Sequence, residues 1–244
     1  MKSEIDRDDE NDERDIKVRD QLYFETIGKD FERFMSEYDV SRRLDLIFKD
    51  LLKTKNIKKN AAVLEIGCGT GRITKILRTV FDNITVNDIS EQLVNDTALK
   101  YNCNILVGDC LSLNVNDESF DLIVSSECIE HTTDPFGALA EIKRIVRKDG
   151  LIVVTTPNKV WYPVLWIAEK LRARKYRGIE NWIFPYTAAQ WLRKEGFQDI
   201  YFSGCHLWPW HIPLFNKMLP WFDKWANFLF PVMINFGFCA RKSK

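Results

Sequence analysis

Val63-Leu64-Glu65-Ile66-Gly67-Cys68-Gly69-Thr70-Gly71-Arg72 is the stretch that decides how the chain folds. An apolar run beginning at Ala61 and broken only by Glu65 stops at three glycines spaced by single residues. Ile73, Ile76, Leu77 and Val80 follow at helical spacing. That order reads as a buried strand, a tight turn and the start of a helix. Glycines without Cβ let the backbone bend sharply and lie against a ligand. The N–H groups at the head of the helix then point at whatever sits above the turn.

Downstream, strand and helix patterns alternate. Residues 84–87 form a second strand that ends at Asp88, and Ser90 opens a helix carrying Leu93, Val94, Ala98 and Leu99. Residues 104–107 form a third strand ending at Gly108-Asp109, and residues 120–126 a fourth. Asp134 reads as an N-cap with Pro135 at N1. Its helix carries Phe136, Leu139, Ile142, Ile145 and Val146 and stops at Asp149-Gly150, before a fifth strand over residues 151–155. Thr187 to Gln190 has capping-box spacing and opens a short helix that ends at Gly196. Residues 199–203 form a sixth strand and 233–240 a last, antiparallel one. The pattern specifies an α/β fold: a mostly parallel seven-stranded sheet with helices on both faces. Right-handed crossovers put the carboxyl ends of the parallel strands on one rim, where ligands bind.

The dinucleotide fingerprint G-x-G-x-x-G places its last glycine five residues after its first. Here the interval is four, with Glu65 before the turn. This E-x-G-x-G-x-G resembles motif I of the class I S-adenosylmethionine (SAM) methyltransferases, whose fold is Rossmann-like. The resemblance implies that Gly67, Cys68, Gly69 and Gly71 cradle the methionine end of SAM, and that Glu65 anchors the loop or the amino group. Asp88 stands where a carboxylate accepts both ribose hydroxyls. Asp109 would accept from the adenine amino group, with Cys110 beside the ring. The bland alternatives are a solvated loop Asp at 88 and a turn Asp at 109.

Ser125-Ser126-Glu127-Cys128-Ile129-Glu130-His131, with Asp134-Pro135 beyond, is similar to the E-x-x-E-H-x-x-D-P segment of the ubiquinone-biosynthesis O-methyltransferases. In that resemblance Ser126 contacts SAM, Glu127, Glu130 and His131 hold a divalent metal such as Mg²⁺, and His131 alternatively serves as general base. A His that merely packs the turn is the structural alternative. Arg43 resembles the Arg that contacts the SAM carboxylate, or is an exposed helix Arg.

Composition narrows the classes. The 244 residues carry zero formal net charge, so no global field favours nucleic acid. Six cysteines show no CxxC and no pairing with the three histidines. That reads as reduced thiols in a cytoplasmic protein. Residues 1–20 are mostly charged and are expected to be a disordered acidic tail. Residues 21–244 then form a single domain. Its parts are N-terminal helices over 21–60, the SAM core over 61–156, and insertions at 157–186 and 205–231. Residues 20–38, with Tyr23, Phe24, Phe31 and Phe34, are expected to be helical. Val40, Leu44, Ile47, Phe48, Leu51 and Leu52 mark a second helix, capped by Ser41 or Asp39.

Both insertions are apolar and aromatic. Val160, Trp161, Val164, Leu165, Ala168 and Leu171 precede a basic cluster of Lys170, Arg172, Arg174, Lys175 and Arg177. Leu214, Phe215 and Met218 lead into a stripe of Trp221, Phe222, Trp225, Phe228 and Leu229. The longest uncharged run falls short of the ~20 residues a span needs. The stripe therefore reads either as a lid or core element, or as a peripheral membrane contact. The expected function is methyl transfer from SAM to a small, hydrophobic or lipid-linked acceptor, with oxygen favoured by the resemblance. A non-catalytic, membrane-associated or regulatory SAM-pocket protein is the rival, and the glycine spacing argues against a nicotinamide oxidoreductase.

Overall fold

The computed structural model describes residues 37–53, 55–170, 179–208 and 218–243. The expected acidic tail, the aromatic segment before Glu37, the cluster beyond Lys170, and Leu214 and Phe215 lie outside the described residues. The strands are β1 (Ala62–Ile66), β2 (Asn83–Asp88), β3 (Asn104–Val107), β4 (Phe120–Ser126), β5 (Val146–Pro157), β6 (Phe197–Cys205) and β7 (Asn235–Lys242). They form one sheet in the order β3-β2-β1-β4-β5-β7-β6. β7 runs antiparallel to β5 and β6, and the other pairings are parallel. The expected topology is present, and the carboxyl ends of β1, β2, β3, β4 and β5 share one rim.

Apolar strands buried on both faces explain the two cores. One face gathers Leu64, Ile123 and Ile152 with Leu139 and Ile142. The other gathers Val63, Val124 and Val153 with Leu46, Leu77 and Val94. Alternate residues of each strand serve opposite cores, as the two-residue period requires. Helices α1 (Glu37–Asp45), α2 (Arg72–Val80), α3 (Glu91–Tyr101), α4 (Pro135–Ile145), α5 (Tyr162–Lys170) and α6 (Pro185–Lys194) connect or flank the strands.

Local cap signals read from the sequence hold in two places. Ser90 Oγ accepts from Leu93 N at 3.3 Å, and Asp134 Oδ1 from Phe136 N at 3.0 Å. Elsewhere the structure corrects them. Asp39 is not a cap: it lies buried inside α1, which runs into a π-helical turn over Leu46–Leu51. Thr187 does not open α6, because Pro185 takes the N1 place and Thr187 Oγ1 donates back to the Phe184 carbonyl at 2.8 Å. α4 ends at Ile145, and β5 begins at Val146 because Phe120 of β4 pairs with it.

Candidate active site

Three glycines build the turn after β1, all with positive φ. They are not interchangeable. A Cβ on Gly71 would lie 2.6 Å from Tyr101 Cε2, so α3 packs directly on the turn. A Cβ on Gly69 would meet nothing within 4 Å. Gly69 therefore presents bare backbone at the rim, which is the shape a cofactor cradle needs. Its N–H donates to Asp88 Oδ2 at 3.0 Å, while Ser90 N donates to Asp88 Oδ1 at 3.1 Å. A carboxylate offers about four acceptor sites, so two bonds leave capacity for hydroxyls. Burial pushes the Asp88 carboxyl up, opposed by these N–H donors.

Glu65 is buried and accepts from Thr74 Oγ1 at 2.6 Å. That bond ties β1 to α2 beneath the turn. Burial pushes its carboxyl up to about 8. Asp109 Oδ1 accepts from Leu111 N at 3.0 Å, forming the turn that carries the buried Cys110. Cys128 reaches the same region, with its Sγ 2.6 Å from the Cβ position of Gly67. Cys68 is buried in the turn, and burial raises its thiol above the ordinary range.

The segment after β4 carries the acids. Glu127 adopts φ 50°, and its carboxylate turns towards β7 and α1. It accepts from Asn235 Nδ2 at 2.6 Å and Thr155 Oγ1 at 3.2 Å, and pairs with Arg43 Nη1 at 3.0 Å. Since Thr155 gives its proton to Glu127, Ser126 Oγ is the donor in the 2.8 Å Ser126–Thr155 contact. Glu130 is buried and accepts from Thr156 Oγ1 at 3.2 Å. Burial, then the charge of Glu127, push its carboxyl well above the ordinary range. His131 Nδ1 lies 3.0 Å from the Ile179 carbonyl oxygen. A carbonyl only accepts, so Nδ1 carries a proton, and in the neutral ring Nε2 is then the acceptor nitrogen.

The expected metal triad is not assembled. Glu127 faces Arg43 and Asn235, Glu130 faces Thr156, and His131 is held by Ile179. Among the described residues no group of three His, Cys, Asp or Glu side chains is placed to hold a metal ion. Arg43 is also not the exposed helix Arg of the alternative reading. Its guanidinium spans Asp39 (2.9 Å) and Glu127 (3.0 Å). Burial alone would lower its pKa, but these two carboxylates hold it firmly protonated. Asp39 is in turn held below its usual range, against burial, by His206 and Arg43.

Several residues of this network carry no local signal. Asn181 donates to the Thr132 carbonyl at 2.8 Å, and its N–H to the Glu130 carbonyl at 2.7 Å, pinning the acid segment from above. Arg42 pairs with Asp50 at 2.8 Å and Asp223 at 3.0 Å, and Tyr38 donates to Asp223 at 3.2 Å. His206 Nε2 lies 3.0 Å from Asp39 Oδ1. A surface hollow lined by Phe136, Trp191 and Lys194 lies beside α4 and α6 and includes none of these groups.

With this geometry in place, comparison with known proteins is direct. Residues 64–154 match the family described as a methyltransferase domain. By that match, its turn and its sheet order, this region belongs to the class I SAM-dependent methyltransferases. Among similar proteins is a malonyl-[acyl-carrier protein] O-methyltransferase of Paenibacillus sp., 27% identical over 57% of this chain and 56% of that protein. A ubiquinone biosynthesis O-methyltransferase of Colwellia psychrerythraea is 25% identical over 65% of this chain and 69% of its own. An SAM-dependent methyltransferase of Thermotoga maritima, described as a possible histamine N-methyltransferase, shares the fold with a TM-score of 0.63. It covers 90% of this chain and 98% of its own at 20% identity. The chain spans little more than half the length of the Paenibacillus relative.

Proposed function

We propose that the protein transfers a methyl group from SAM to an oxygen of a small, hydrophobic or lipid-linked acceptor. The observation that carries this reading is the bare Gly69 backbone, hydrogen-bonded to Asp88, on the rim that also holds His131. In this reading the backbone of Gly67, Cys68, Gly69 and Gly71 holds the methionine end of SAM and Asp88 accepts from the ribose. Asp109 and Cys110 flank the adenine, and Ser126 stands beside the cofactor. When bound, SAM supplies an electrophilic methyl on a sulfonium. Holding the acceptor in line is worth up to ~7–11 kcal/mol.

His131 takes the acceptor's proton at Nε2, a contribution of about 10²–10⁴-fold. Arg43 and Asn235 orient Glu127. Two relatives named as O-methyltransferases support oxygen. Support for an apolar acceptor comes from the exposed aromatic segments beside the rim. Among the described residues no helix is long and apolar enough to cross a membrane.

Calorimetric titration with SAM, and in parallel with NADH, tests the cofactor. Transfer of labelled methyl groups to lipid-tailed phenols, quinols and carboxylates then tests the reaction. SAM binding with transfer to an oxygen acceptor is expected. NADH binding in place of SAM would overturn the cofactor, and SAM binding without turnover on any acceptor would favour the non-catalytic rival.

A further inference from the structure

Large apolar side chains at the surface are not scattered over this molecule. Seventeen are exposed among the described residues, and twelve of them fall within residues 160–186 and 218–232. The other five, Val80, Leu99, Ile105, Val107 and Tyr201, lie elsewhere. Clustering of this kind marks an interaction surface, whereas single exposed apolar residues need no explanation.

The two segments meet. Asn158 Nδ2 donates to the Pro231 and Met233 carbonyls at 2.9 and 3.0 Å, and Trp161 Nε1 to the Val232 carbonyl at 2.9 Å. From that junction α5 departs with none of its described side chains buried, although it carries Tyr162, Val164, Trp166 and Ile167. On the other side lie the short helices α7 (Leu219–Phe222) and α8 (Ala226–Leu229). They turn only Leu219 and Ala226 inward and, with the turn Asp223–Trp225 between them, leave Trp221, Trp225 and Phe228 exposed at 56%, 52% and 70%.

The fully exposed charges among the described side chains here are lysines. Lys170 and Lys224 are exposed, as is Lys159 just before the first segment, whereas of the acids Asp223 is turned inward to Tyr38 and Arg42 and Glu180 is half-buried. Lys170 Nζ sits 4.1 Å from the centre of the Trp166 ring, so cation and indole occupy the same level. Trp and Tyr rings beside Lys are the chemistry of the headgroup boundary of a bilayer. A second copy fits less well, because a two-fold contact sets the same patch against itself and gathers six lysines there.

We propose that α5 and α7–α8 together form a docking face for an anionic membrane surface, with the aromatic rings at headgroup depth and the lysines on the lipid phosphates. The face borders the rim through Asn158, at the end of β5, so a lipid-linked acceptor reaches the site from the bilayer. This deepens the acceptor class proposed above, but docking itself is independent of turnover.

The test is sedimentation of the full chain with phosphatidylglycerol–phosphatidylcholine vesicles at low and high salt, with SAM binding measured on the same sample. The wild type pellets with anionic vesicles and is released by salt. Trp166→Ser with Trp225→Ser and Phe228→Ser loses at least about tenfold in partitioning while its melt and SAM titration stay unchanged, since all three positions are exposed. Lys159→Glu with Lys170→Glu and Lys224→Glu loses the preference for anionic over neutral vesicles. A wild type that stays in the supernatant at low salt overturns the proposal. So does a dimer by light scattering that the serine variant dissociates, which would assign the face to a second copy. Vesicle binding by a protein that methylates nothing leaves docking standing and removes the reaction.

Discussion

The two halves of the sheet rim are built from different materials. At the ends of β1, β2 and β3 the groups are backbone N–H donors, the bare backbone of Gly69 and the single carboxylates Asp88 and Asp109. At the ends of β4 and β5, and where β6 and β7 meet them, the groups are side chains paired across long stretches of chain. Arg43, Glu127 and Asn235 come together from three distant segments. The first half suits a ligand that is invariant in shape. The second is where the insertions enter.

Substitutions at the turn divide its glycines most sharply. Gly69→Val is expected to fold but to lose all measurable SAM binding, because the added side chain enters the open space above the turn. Gly71→Val is expected to prevent folding, since Tyr101 and Thr97 already fill that space. Thermal melts with and without SAM check both, and a SAM-induced shift in Gly69→Val would move the cradle elsewhere.

His131→Ala tests the other half. Turnover should fall by about 10²–10⁴-fold with SAM affinity nearly unchanged. Normal turnover would leave His131 as a packing residue held by Ile179. Activity measured with and without a chelator probes the dispersed acids: their geometry predicts no difference.

Asp88→Ala should weaken SAM by ~1.5–3 kcal/mol, the worth of hydrogen bonds to a charged group. Asp88→Glu should lose less. Equal affinity of wild type and Asp88→Ala by titration would make Asp88 only the clasp of Gly69 and Ser90.

The smallest effect concerns Glu65. Its folded carboxyl lies near 8, above the ordinary 4.5 of the unfolded chain. The native state therefore binds more protons across that window, and stability falls as pH rises from about 4.5 to about 8. Glu65→Gln keeps an acceptor for Thr74 and should remove this part of the pH dependence. The difference in melting temperature between variant and wild type should grow in the variant's favour as pH rises. A difference independent of pH would show that Glu65 titrates normally.

What the sequence made legible follows the same division. β1, its glycine turn and the caps at Ser90 and Asp134 were readable because each is decided by neighbours within a few residues. The β7 strand was readable from its apolar run. The entry to β5 was not, because pairing with Phe120 overrode the helix period at Val146. Spacing allowed Glu127, Glu130 and His131 to converge, yet the positive φ of Glu127 sends its carboxylate to Asn235, 108 residues away. No local pattern announces such a partner. Arg43 was read as a contact for the SAM carboxylate or as an exposed helix Arg, and its fork lies on two carboxylates of the chain itself.

The strand order has a consequence for the order of events during synthesis. β7 lies between β5 and β6, although it leaves the ribosome after both. Until residues 235–242 emerge, β6 has no neighbour in the sheet, and the edge of β5 stays open. Asn235, the partner of Glu127, arrives with the same strand. The acid side of the rim thus reaches its final arrangement only as the last strand slots in, while the glycine turn can close as soon as α3 has been made. A nascent chain would form its glycine turn early and the Glu127 side of the rim late.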